Sequence, residues 1–146
     1  MVIALDIGNA FNEIKCQYVL KAIWNDEEIR PLWYYSKTIV GFIGLGYGPS
    51  MVKALFQCKG EKQGDMESMP TFCLGIHEVN KLTLMSLKDK GGWLVAGADD
   101  TYILGPLSVV FAEVREHKVG LETIGLALHY GKCTLQICTE MRNITF

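Results

Sequence analysis

The chain has 146 residues, enough for one domain with a hydrophobic core. Fourteen basic and sixteen acidic residues leave a formal net charge of −2, so the basic footprint of a free-standing nucleic-acid binder is missing. Apolar residues make up 49% and mean hydropathy is +0.18, yet no apolar run reaches membrane-spanning length, so no membrane partner is expected.

The first apolar run, Val2 to Leu5, reads as a strand that ends on Asp6. It carries no basic flank, so it is neither a signal peptide nor an anchor, and the default location is intracellular. Asn12 to Trp24 reads as a helix, with Ile14, Tyr18, Val19, Ala22 and Ile23 near helical spacing. Asp26-Glu27-Glu28 and Pro31 interrupt it, and Leu32 to Tyr35 opens another short helix. The aromatic run Trp33-Tyr34-Tyr35 has the composition to stack bases, but is expected instead to pack its helix onto the sheet or onto a fingers region. Gly41 to Pro49 is a loop or loose hairpin, and Val52 to Cys58 is a candidate strand. After a polar stretch, a helix is predicted from Ser68 or Thr71 to Leu87, with Phe72, Ile76, Val79 and Leu82 on one side. Gly91-Gly92 and Gly105-Pro106 bracket a β-hairpin with Asp99 and Asp100 at its tip. Ser108 to Ile124 is predicted to be amphipathic. Val110, Phe111, Val114, Leu121 and Ile124 face inward, while Glu113, Arg115, Glu116 and Lys118 face water. Gly125 suits a C-cap, and a last strand runs from about Cys133 to Cys138. The order predicts an α+β fold, a mainly antiparallel sheet with helices on one face.

Candidate chemistry centres on three acids. Asp99 and Asp100 lie between apolar stretches, and Asp6 closes another short apolar strand. If both strands share one sheet, three carboxylates converge, and carboxylate oxygens suit divalent metals. Two magnesium ions stabilise the attacking and leaving oxygens of phosphoryl transfer together, so the set points to nucleotidyl transfer. Taken alone, Asp99-Asp100 reads as a polar hairpin turn, since such turn residues are common; the apolar flanks and Asp6 at a matching strand end turn the reading towards a shared site. The cysteines, Cys16, Cys58, Cys73, Cys133 and Cys138, form no Cys-x-x-Cys pair and are expected to be buried reduced thiols. His77, His117 and His129 have no nucleophile pattern beside them and are expected to be solvated or at the core edge.

Four segments in order resemble the palm motifs of reverse transcriptases, the non-LTR retrotransposon kind above all. Asp6-Ile7-Gly8-Asn9-Ala10-Phe11 resembles the first motif, an acid followed five residues later by an aromatic. Gly60 to Asp65, with Ser68 and Pro70, is similar to the glycine-glutamine-glycine motif. Ala98-Asp99-Asp100 resembles the end of the aromatic-x-Asp-Asp box, and Ile124 to Cys133 resembles the motif that leads to a lysine. The resemblance implies a polymerase palm with a ferredoxin-like core. It implies two magnesium ions, with manganese as a substitute, on Asp6 and Asp99, Asp100 being a supporting acid and third ligand. Partners implied are an RNA template, a DNA primer and deoxynucleoside triphosphates. Phe11 would lie under the nucleotide sugar, and its alternative is a core aromatic at a strand-to-helix junction. Gln63 and Gly64 would contact the template pair, with an ordinary loop as the alternative for Gly64. Lys132 would approach the triphosphate, or is a solvated lysine after a turn.

Two departures stand out. Gly97 occupies the aromatic position of the acidic box, and Met66-Glu67 replace the usual Pro-Leu. Only five residues precede Asp6 and thirteen follow Cys133, too few for fingers and thumb. The expectation is therefore a palm fragment, inactive alone and prone to self-association through exposed apolar surface. The alternatives are a non-catalytic binding or structural remnant of a retroelement polymerase, and an unrelated α+β domain in which Asp6 lies far from Asp99.

Overall fold

Residues 1–39, 42–47, 50–56, 58–60 and 68–137 are described by a computed structural model of the chain, with backbone alone at 35, 37–39, 42–47 and 50–56. Their elements are β1 (Val2–Asp6), α1 (Ala10–Glu13), α2 (Cys16–Asn25), α3 (Leu32–Ile39), β2 (Phe42–Tyr47), β3 (Ser50–Phe56), α4 (Ser68–Lys88), β4 (Trp93–Gly97), β5 (Asp100–Leu104), α5 (Leu107–Thr123) and β6 (Thr134–Gln136). This is the expected α+β architecture with an antiparallel main sheet. Contacts divide the chain into two units, one of Met1–Gly8, Val79–Glu122 and Ala127–Phe146, the other of Asn9–Glu78 and Thr123–Leu126.

The first unit is built on a four-stranded antiparallel sheet in the order β4-β5-β1-β6. Strand alternation sorts its side chains by face. Ile3, Leu5, Leu94, Thr101 and Ile103 are buried, together with Leu87 of α4 and Val110 and Leu121 of α5. Helices therefore cover one face. The other face carries Trp93, Val95 and Tyr102, each at least 40% exposed. The predicted hairpin forms where its glycine brackets place it. A side chain on Gly92 would stand 2.6 Å from Leu87 and 3.0 Å from the Leu104 carbonyl oxygen, so the turn sits tight against the sheet.

The inward face of α5 differs from the amphipathic expectation. Its buried residues are Val110, Glu113, His117 and Leu121, while Phe111 is 46% exposed. Polar partners on and after α4 explain the rotation. Glu113 accepts hydrogen bonds from Ser86 and from Lys90, so its buried carboxylate is met by the ammonium of a half-exposed lysine. His117 is 1% exposed, not solvated or at the core edge, and its Nδ1 lies 3.0 Å from the Thr83 hydroxyl. Leu82 of α4, expected inside, is exposed, whereas Phe72 and Ile76 are buried as predicted.

In the second unit the helix expected over 12–24 is broken at Ile14-Lys15. Both residues are extended because their backbone groups pair elsewhere. Gly60 N–H donates to the Ile14 carbonyl at 2.7 Å, Lys15 N–H donates to Ile124 at 2.9 Å, and Lys15 bridges Lys59. Gly60 makes this possible. Its φ is +78°, and a Cβ there would lie 2.6 Å from the Asn12 carbonyl oxygen. α2 then buries Cys16, Val19 and Ile23. Of the other thiols, Cys58 is exposed and Cys73 and Cys133 are half-buried, so the expected burial holds for Cys16 alone among the described cysteines. β2 lies within the glycine-rich segment expected as a loop or loose hairpin and pairs antiparallel with β3, which covers most of the strand expected over 52–58, with a register shift at Leu45/Gly46.

Candidate functional site

The acids are placed by strand register. β1 and β5 run antiparallel with Asp6 directly opposite Asp100, and Gly97 opposite Asp100 on the other side. Cross-strand partners share a face, with Cβ atoms typically about 4.5–5.5 Å apart. Asp6 and Asp100 therefore stand side by side on the uncovered face, Asp100 exposed and Asp6 half-buried. Asp99 is the second residue of the two-residue turn between β4 and β5 and is exposed. Its predecessor Ala98 has φ +54°, a left-handed conformation that costs a residue with a Cβ about 1–2 kcal/mol. The tip that carries Asp99 is thus held in a strained backbone.

Like charges set opposite each other in a sheet repel, by roughly 0.2–1 kcal/mol at an exposed position. Among the described residues, no ion pair joins Asp6, Asp99 or Asp100 to a cation. Nor do three His, Cys, Asp or Glu side chains gather closely enough to hold a metal ion. What the sheet offers is a pair with a neighbouring acid. Magnesium is commonly bound by one or two carboxylates, with waters and substrate phosphates completing its shell. The donor set fits that mode.

The 129–133 turn adds a cation to this end of the sheet. β6 pairs with β1 through Ala4 and Thr134, and pairing resumes at Ile7 and Leu128. Between those pairings β1 advances three residues and the facing segment six, so the extra residues bulge beside Asp6. His129 N–H donates to the Asp6 carbonyl at 2.9 Å, and Asp6 N–H points at the Cys133 sulfur at 3.5 Å. Lys132 N–H in turn donates to the His129 carbonyl. Lys132, exposed, thus sits on a turn fastened to the backbone of Asp6 from both sides. Sequence reasoning missed this clasp. Nothing in the residue types of His129 and Cys133 reveals backbone and thiol bonding to a residue more than 120 positions away.

Phe11 belongs to the second unit, half-buried, with its ring 4.5 Å from that of Phe72 at an interplanar angle of 31°. Gln63 and Gly64 lie outside the described residues. Gly97 has open space where a side chain would project, so its lack of an aromatic ring is not imposed by crowding.

No protein-family model matches the chain, and no curated protein sequence matches it significantly. Solved structures do. Apo telomerase from Candida tropicalis, truncated from the C-terminal domain, superposes with a TM-score of 0.63 at 12% identity, over 91% of this chain and 30% of that one. Telomerase from Candida albicans, solved in complex with a fragment of telomeric RNA, gives a TM-score of 0.65 at 10% identity, over 97% and 27%. The likeness shows a reverse-transcriptase-like fold. The chain spans less than a third of the telomerase chains it resembles.

Proposed function

We propose that the chain is the palm portion of an RNA-directed DNA polymerase, and that Asp6, Asp99 and Asp100 form its acidic centre for nucleotidyl transfer. The observation that carries this reading is the Asp6–Asp100 register on the open face of the sheet. Asp6 and Asp100 would hold divalent cations, magnesium or manganese, with Asp99 alongside. Bound there, such ions supply charge stabilisation for the phosphate oxygens of an incoming deoxynucleoside triphosphate. The chain's own groups do the positioning. Lys132, fixed to Asp6 through the 129–133 turn, offers positive charge to the triphosphate. Phe11, braced by Phe72, is assigned to the sugar, and Gln63 and Gly64 to the RNA template and DNA primer pair. The four motifs resemble those of non-LTR retroelement enzymes, and the telomerase-like fold is consistent with the wider RNA-directed class.

The chain spans under a third of the length of its structural neighbours, so the activity of those whole proteins is not carried over to it. The absence of a three-residue ligand cluster among the described residues favours a second reading, a binding or structural remnant that keeps the fold without the reaction. Manganese titration separates the two. Paramagnetic broadening confined to the amides of Asp6, Asp99, Asp100 and their neighbours, abolished by Asp100→Asn, is expected. Broadening scattered over the surface acids, or unchanged by that substitution, overturns the metal site and leaves the remnant.

A further inference from the structure

The second unit carries a groove that the acidic centre does not use. α2 has two stripes. Cys16, Val19 and Ile23 are buried, while Gln17, Leu20, Lys21 and Trp24, at helical spacing, line one wall of a groove of about 530 Å³. Trp33 and Tyr34 of α3 line the other. The rings form an edge-to-face chain, Trp24 to Trp33 at 5.2 Å and 66°, then Trp33 to Tyr34 at 5.2 Å and 88°. Yet Trp24 is 45% exposed and Tyr34 69%. The Arg30 guanidinium lies 5.6 Å from the Trp24 ring, and its Nε–H donates to the Trp24 carbonyl at 2.7 Å. The platform is thus braced before any ligand arrives.

We propose that this groove binds single-stranded nucleic acid, seating one or two unstacked bases on the Trp24 and Tyr34 rings. Exposed rings beside cations are the recurring composition of such sites, since every base has a π-face. Lys21 and Arg30 supply the charge that phosphates need, and none of the described residues that line the groove is acidic. Asp26, Glu27 and Glu28 belong to the turn after α2. Gln17 offers both a donor and an acceptor to a base edge. A docked apolar helix is the poorer match, because among the described residues of the lining Leu20 is the single aliphatic side chain. With a chain charge of −2, affinity comes from stacking and one or two phosphate contacts, so salt dependence is shallow. The assignment stands apart from the acidic centre, because Asp6, Asp99 and Asp100 do not line the groove.

The test is tryptophan fluorescence of the full chain carrying Trp93→Phe, which leaves Trp24 and Trp33 as emitters. It is titrated with dodecamers of oligo(U) and oligo(dT). Saturable quenching by both is expected, as stacking is blind to the sugar. Tyr34→Ala and Lys21→Glu, at exposed positions that do not endanger folding, each weaken binding by at least about fivefold, the low end for one stacked base. Asp6→Asn with Asp100→Asn leaves it unchanged. Raising salt from 50 to 200 mM weakens it about three- to sevenfold, as one or two phosphate contacts require. Absence of quenching, equal affinity in the Tyr34 and Lys21 variants, loss of binding in the acid variants, or displacement by an amphipathic helical peptide but by no oligonucleotide would overturn the proposal.

Discussion

Acid should unfold the first unit through one histidine. The Thr83 hydroxyl donates to the Val79 carbonyl at 3.0 Å, so the His117 Nδ1–H must donate to Thr83. That leaves Nε2 unprotonated, buried and without a hydrogen-bond partner. Burial holds the His117 pKa down at about 4, against 6.5 for an ordinary histidine. The unfolded chain binds the proton first, so stability is intact above pH 6.5 and is lost as pH falls from 6.5 towards 4. Linkage between those two values gives a loss of about 2 kcal/mol at pH 5, approaching about 3.4 kcal/mol below pH 4. Urea unfolding at pH 7.5, 6 and 5, followed by circular dichroism, measures it. At a slope of about 1–3 kcal/mol per molar, the midpoint falls by about 0.7–2 M between pH 7.5 and 5 from this residue alone. His117→Phe fills similar volume without the titrating nitrogen. Because carboxylates titrate equally in both proteins, the difference between them isolates His117. Parallel decline of the two with pH would refute the assignment of a neutral, desolvated imidazole.

Two further outcomes follow from local geometry. Thr101 is fully buried beside Asp100 with a hydroxyl that has no partner, so Thr101→Val removes an unsatisfied group and should raise stability by about 1 kcal/mol in thermal melts; a loss would mean that the hydroxyl is bonded. Gly60→Ala adds strain at φ +78° and a clash with the Asn12 backbone, and should cost about 2–4 kcal/mol, with amide protection lost first at Ile14, Lys15 and Cys16.

Much of the first unit was legible because its signals are local. Gly91-Gly92 and Gly105-Pro106 delimit the hairpin, and alternation within 2–6 and 100–104 assigns faces before pairing is known. Because β1 ends on an acid and β5 begins with one, antiparallel pairing brings Asp6 to Asp100. What escaped notice depends on residues distant in sequence. The break at Ile14-Lys15 arises from segments near 60 and 124, which no periodicity within 12–24 contains. Glu113 reads as a surface acid until Ser86 and Lys90, on and after another helix, supply its hydrogen bonds.

The bulged turn that grips Asp6 has a mechanical meaning. Force or crowding applied at Lys132 reaches the acid-bearing strand through two short links rather than through a flexible tether. A spin label or fluorophore placed at position 132 would therefore report on the backbone of residue 6, and a thiol-blocking reagent at Cys133 would loosen both together.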